Sequence, residues 1–177
     1  MRFFAFICFL MIILSCNNNS SPADASALPG KPGTIESVEA SLKGKNFKTI
    51  NAGTLSPFEM DKDNPYEWQD KMTDSFTKKN LAEQMSFSLH FLNDTAVTIF
   101  DDGQEKQGTY IVDTTTNGDE QPGVKLRIAH MEFGNGSNDM MKVTYTYPVN
   151  GISDKQLLLL TPRDINRRKV VVLMEAK

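Results

Sequence analysis

Residues 86–112, SFSLHFLNDTAVTIFDDGQEKQGTYIV, decide the fold of this 177-residue chain. Phe87, Leu89 and Phe91 alternate with Ser86, Ser88 and His90, which is the period of two that a half-buried strand requires. Asn93-Asp94 marks a turn, and a second strand over residues 96–100 puts Val97 and Ile99 on one face. Asp101-Asp102-Gly103 reads as a hairpin turn, because Asp-Gly supplies the positive φ that two-residue turns need. Residues 107–112 form the returning strand.

Four more segments of the same kind follow, over residues 124–133, 140–147, 156–160 and 169–175. Turn chemistry separates them: Asn117-Gly118 with Pro122-Gly123, then Gly134-Asn135-Gly136-Ser137, then Asn150-Gly151, then residues 162–166. With residues 46–52 the count is eight. Short strands with regular turn-rich spacers indicate an antiparallel barrel or sandwich rather than a parallel α/β sheet. Residues 156–160 and 169–174 each carry a continuous apolar run, so these two strands are expected to be covered on both faces.

Residues 61–84 break the pattern. Asn64-Pro65-Tyr66-Glu67 carries a capping residue, Pro at the first helical position and Glu at the third, the signature of a helix start. Trp68, Met72 and Phe76 then recur at i, i+4 and i+8. The spacing predicts one apolar stripe, acting either as a lid over a barrel mouth or as a plug in its end.

The N-terminus reads as a lipoprotein signal. Arg2 is the charged start, residues 3–14 are an apolar stretch of twelve, and Ile13-Leu14-Ser15-Cys16 closes it. Twelve residues are too few for a hydrocarbon core of about 30 Å, which takes about 20, so cleavage is expected rather than spanning. Ile13-Leu14-Ser15-Cys16 resembles a lipobox, in which Cys16 is acylated, with palmitate-type chains, and becomes the first residue after cleavage. Two acyl chains meet the condition for stable membrane attachment. Removing residues 1–15 also removes Cys8 and Arg2, leaving 18 basic against 22 acidic residues. Residues 17–34 are rich in Asn, Ser, Ala, Pro and Gly and cannot bury a face. As a flexible tether their r.m.s. span is about 23 Å. The expected organisation is a signal peptide over residues 1–15, an acylated Cys16 with tether over 16–40, and a domain over 41–177. Asn17 is not the Asp that follows Cys in an inner-membrane retention signal, and no Lys/Asp/Glu-rich run follows Cys16, so an outer-membrane attachment facing the periplasm is expected.

With Leu42-Lys43-Gly44-Lys45-Asn46-Phe47-Lys48 opening it, Phe87-x-Leu89-x-Phe91, Asn93-Asp94, Val97 and Gly108-Thr109-Tyr110 at its centre, and residues 157–161 and 170–173 closing it, the chain resembles the lipocalin-like lipoproteins of Bacteroidetes. The resemblance covers residues 41–177. Phe47 stands where that family has Trp, one residue further from Gly44, and the insertion at 61–84 is longer and more helical. The resemblance implies an all-β, eight-stranded antiparallel up-and-down β-barrel with one short helix between the first strand and the rest, wide enough to hold one small ligand.

Chemistry-bearing residues are few. His90 shares the polar Ser86/Ser88 face and is expected in solvent, whereas His130 continues the face of Val124, Leu126 and Ile128, either as a polar anchor inside the barrel or as a histidine at a strand end. Asp61, Asp63, Glu67 and Asp70 lack the Gly at the sharp turn of a calcium loop, and no metal or cofactor is expected. Arg163, Arg167, Arg168 and Lys169 are assigned to the last hairpin loop, where they meet lipid headgroups or an acidic partner, or are simply charged tips. No phosphate loop, nucleophile elbow or zinc spacing occurs, which argues against an enzyme. With 19 basic against 22 acidic residues, nucleic-acid binding is not expected.

Two functions follow as expectations. One is a membrane-tethered barrel that binds a small apolar or amphipathic ligand in the cell envelope. Phe87, Leu89, Phe91, Val97, Ile99, Tyr110, Leu126, Ile128 and Tyr145 then face inward, with His130 as a polar anchor and a pocket of a few hundred cubic ångströms open at one end. The alternative is a filled barrel or sandwich that contacts another envelope protein through residues 134–139 and 163–168.

Overall fold

Alternating side chains make the strands, and two left-handed turns make the tightest connections. The computed structural model describes residues 28–55, 65–118, 120, 122–134 and 138–177. The deciding stretch becomes β3 (Ser88–Phe91), β4 (Ala96–Asp101) and β5 (Gln104–Asp113), preceded in the chain by β1 (Asn46–Leu55) and β2 (Tyr66–Trp68). Leu89 faces Ile99 and Phe91 faces Val97 across the first ladder. Asp102 and Gly103 have φ of 50° and 74° between the paired Asp101 and Gln104, the primed geometry whose twist matches that of the strands. Asn166 and Arg167, at 53° and 63°, close the last hairpin the same way.

β6 (Lys125–Phe133), β7 (Met140–Ile152), β8 (Gln156–Ile165) and β9 (Arg168–Ala176) continue the antiparallel sequence of neighbours. β1 closes it, pairing with β9 from Phe47↔Ala176 to Leu55↔Lys169 on one side and with β3 at Asn46–Lys48 on the other. The fold is therefore all-β, a closed eight-stranded antiparallel barrel with β2 appended to the free part of the β1 edge.

The barrel interior is filled by Phe47, Leu89, Phe91, Val97, Leu126, Ile128, Leu157, Leu159, Val170, Val172 and Met174, all fully or almost fully buried. A second apolar cluster lies on the outside of the wall, where Trp68 covers Leu158, Leu160, Val171 and Leu173, joined by Leu28, Ile50, Leu55 and Tyr66. Both faces of β8 and β9 are thus covered over residues 157–160 and 170–174, which is why those stretches are unbroken apolar runs.

Trp68 reaches this position as part of a strand. Tyr66 and Trp68 alternate around Glu67, and Trp68 pairs with Gly53 of β1. A Cβ at Gly53 would stand 2.7 Å from the Glu67 carbonyl oxygen and 3.0 Å from Trp68 Cε3, so only glycine lets the two strands approach there. The chain then makes a 3-10 turn at Gln69–Lys71, and Met72 is extended at φ −72° and ψ 137°. The helix, α2 (Ser75–Glu83), starts only at Ser75, with the Asp74 carboxylate capping the amides of Phe76 and Thr77. The expected stripe is divided: Trp68 lies outside the wall, Met72 joins the interior cluster, and Phe76 is 61% exposed. Those three residues form neither a lid nor a plug.

The structure differs from expectation at three further places. α1 (Ile35–Leu42), capped by Thr34, crosses the boundary expected at residue 41, and its Val38 and Leu42 enter the interior cluster beside the β3–β4 turn, where Lys43 Nζ meets Asp94 Oδ1 at 2.7 Å. Asn150-Gly151 is no turn. β7 continues through it with a bulge between Val149 and Gly151, and the glycine makes room for Pro29, whose carbonyl oxygen would lie 2.6 Å from a Cβ. Arg163 belongs to β8 and Arg168 and Lys169 to β9, leaving only Arg167 of that basic group in the turn. Residues 1–15, Cys16, Asp61, Asp63 and Asn64 lie outside the described residues.

Candidate functional site

Beyond Val149↔Leu159 the ladder between β7 and β8 ends. β7 from Met140 to Pro148 pairs only with β6, and β8 is bulged between Leu160 and Asp164 where it follows β9. Pro162 contributes no amide hydrogen to bridge the gap. A cavity of about 310 Å³ opens beside this gap, at the end that carries the β4–β5 turn, with Asp101, Asp102, Pro162 and Arg163 in its lining. This volume lies at the lower end of the ~300–1,000 Å³ typical of small-molecule sites.

One wall of the cavity is aromatic and aliphatic. Phe87 stacks on Tyr147 with ring centroids 5.9 Å apart and 17° between planes, and Ile99 lies beside them. The other wall is charged. Glu132 Oε1 lies 2.7 Å from Lys106 Nζ and 2.7 Å from His130 Nε2, and Tyr145 donates its hydroxyl hydrogen to Glu132 Oε2 at 3.1 Å. The Tyr145 ring stacks on His130 at 5.5 Å. At the mouth, Arg163 Nη2 donates to Asp101 Oδ2 and Asp102 Oδ2, both at 2.9 Å.

These contacts set the protonation states. The Lys106 ammonium, then His130, then Tyr145 hold the Glu132 carboxyl down to about 2. Burial pushes the Tyr145 hydroxyl up, and its bond to Glu132 adds to this. Burial likewise drives Tyr147 well above the usual phenol range. Asp101 is raised by burial and by its neighbour Asp102, against the opposing pull of Arg163. Since Glu132 is ionised it can only accept, so Nε2 of His130 carries the hydrogen. Nδ1 of His130 is buried without a partner.

All the residues expected to face inward do so: Phe87, Leu89, Phe91, Val97, Ile99, Tyr110, Leu126, Ile128 and His130 are buried, and Tyr145 packs against them. The cavity, however, uses only Phe87, Ile99, His130 and Tyr145. The other six pack the barrel, with Phe91 edge-on to both Phe47 and Tyr110. His90 is exposed, as its face predicts.

Glu132, Lys106, Tyr147 and Gln84 line the cavity without having been picked out from the sequence, and Arg163, expected in a contact loop, lines it as well. Glu132 follows His130 by two residues and Tyr147 follows Tyr145 by two, so strand periodicity could have found both. Lys106 faces Ile99 in the β4–β5 ladder and Arg163 sits on the bulge of β8, placements that depend on register.

Among the described residues no group of His, Cys, Asp and Glu is arranged to hold a metal, and no helix is long and apolar enough to cross a membrane. No protein-family model, curated protein or solved structure matches this chain.

Proposed function

We propose that this chain is a lipocalin-like lipoprotein, anchored through acylated Cys16 at the outer membrane facing the periplasm, that binds one small amphipathic molecule in the mouth of its barrel. The cavity carries the reading. It is about 310 Å³, it lies between an aromatic wall and a polar one, and it sits where the β7–β8 ladder has parted. Concave sites of mixed lining at barrel mouths are where small ligands bind. α1 supports the same polarity of the barrel, because Val38 and Leu42 fill the opposite end. The one imidazole in the cavity bonds a carboxylate through Nε2, which holds it in place as a polar element of the cavity wall.

Native mass spectrometry of the protein, after exposure to an envelope lipid extract, tests the proposal. A discrete added mass that denaturation releases, and that Tyr147→Ala or His130→Ala diminishes, is the expected result. A clean apo mass under every condition counts against it.

A second reading has one observation in its favour. On the β6–β7 hairpin Phe133 faces Met140, with Met131 and Met141 beside them, and all four are about half exposed or more. Such a patch is a candidate contact for an envelope protein partner. Crosslinking from this hairpin in intact membranes, without any retained ligand, would favour the interaction module over the carrier.

A further inference from the structure

The charged groups of the cavity are matched to one another. Lys106, His130 and Tyr145 occupy both oxygens of Glu132, and Arg163 holds Asp101 and Asp102. Three polar groups of the same cavity have no hydrogen-bond partner among the described residues: Nδ1 of His130, the hydroxyl of Tyr147 and the carboxamide of Gln84. The His130 side chain is 3% exposed and its Nδ1 is shut off from solvent, whereas the Tyr147 hydroxyl and the Gln84 carboxamide, on residues otherwise buried, open onto the cavity. Buried polar groups in folded proteins are almost always paired, so the unpaired Nδ1 of His130, in a cavity that also presents the Tyr147 hydroxyl and the Gln84 carboxamide, points to a partner supplied from outside the chain. In the neutral ring Nδ1 is an acceptor, the phenol both donates and accepts, and so does the carboxamide.

Resting on the binding role proposed above, we infer that the ligand is uncharged, with a hydroxyl or amide group that meets His130 Nδ1, Tyr147 and Gln84 and an apolar part that lies against Phe87 and Ile99. The charge balance disfavours an anion. Three carboxylates and two cations line the cavity, and every cation already faces a carboxylate. A cation fares no better. The surplus acid lies in the Asp101–Asp102 pair at the mouth, where Asp102 is 58% exposed, so a cation drawn there stays in water and leaves the inner groups unmatched. Deeper in the cavity it would lose hydration without finding a free carboxylate.

Equilibrium dialysis of the full-length protein in phospholipid nanodiscs tests this, with protein-free nanodiscs correcting for partition. Four probes share one ring and differ in their head: 3-phenylpropan-1-ol, 3-phenylpropionamide, 3-phenylpropionate and 3-phenylpropylamine. The alcohol and the amide are expected to bind at least ten-fold tighter than either ion. Tyr147→Phe and Gln84→Leu, each checked for native circular dichroism, are expected to weaken the neutral probes several-fold and leave the ionic ones unchanged. An acid or amine that binds as tightly as the neutral probes overturns the inference while leaving the binding role intact. If no probe binds, the binding role and the inference fall together.

Discussion

Nε2 of His130 lies 2.7 Å from Oε1 of Glu132, two residues further along β6 and on the same inner face of the barrel. Lys106 reaches the same oxygen from β5, so one carboxylate ties neighbouring strands together at the cavity wall. Its carboxyl, ordinarily near 4.5, is held at about 2 in the fold. A depressed carboxyl contributes stability that is fully present above its unfolded value and is lost as pH falls through the folded one. Glu132→Gln is therefore expected to be less stable than wild type at pH 7 by about 1–3 kcal/mol, with the gap narrowing from pH 4.5 towards pH 2. Urea unfolding across that range checks it.

Trp68 and Phe76 should behave oppositely, although both are large aromatics eight residues apart. Trp68→Ala empties the outer cluster over β8 and β9 and should cost about 3–5 kcal/mol. Phe76→Ala removes a mostly exposed ring and should change stability by less than about 0.5 kcal/mol. Paired urea melts decide this, and equal losses would restore a single stripe.

At Gly151 the obstacle is backbone rather than side chain. Gly151→Ala places a Cβ against the Pro29 carbonyl oxygen and should push residues 29–30 away, breaking the 2.9 Å bond from the Ile152 amide to the Gly30 oxygen. A loss of about 1–3 kcal/mol is expected. Hydrogen exchange at the Ile152 amide should quicken in the variant.

Arg167 holds φ 63° in the β8–β9 turn, a conformation that costs an L-residue with a Cβ about 1 kcal/mol or more. Arg167→Gly should relieve this and stabilise the protein by about 0.5–1 kcal/mol after the added freedom of the unfolded chain is deducted. A rise in Tm is the expected readout.

Lipid attachment is tested at one atom. Cys16→Ala should abolish incorporation of labelled palmitate and move the protein from the membrane fraction to the soluble one. Retention in the membrane by the variant would remove Cys16 as the anchor.

The strands were legible because each carries its own alternation, and because Asp102-Gly103 specifies a turn without help from elsewhere. Residues 64–76 were not, since Tyr66 and Trp68 satisfy a period of two while Trp68, Met72 and Phe76 satisfy one near four. The choice between them is made by Gly53, fifteen residues away, which leaves space for Trp68. α1 was obscured by the Pro- and Gly-rich composition just before it, although Val38 and Leu42 stand at i and i+4. In the cavity, inward direction could be read strand by strand, but not height along the barrel. Leu89 and Ile99 both face inward, yet only Ile99 reaches the cavity. The meeting of Lys106 with Glu132 depends on the register between β5 and β6, which no local pattern carries.

Pairing of β1 with β9 sets an order of assembly. Phe47 finds its partner in Ala176, so the strand nearest the start of the domain waits for the one made last. Until residues 168–176 have been synthesised the sheet has two raw margins, and the apolar row on β8 has only part of its cover. Closing so long a loop is entropically slow, and the emerging chain stays open meanwhile. The contact that locks the barrel therefore joins residues about 130 positions apart in the chain.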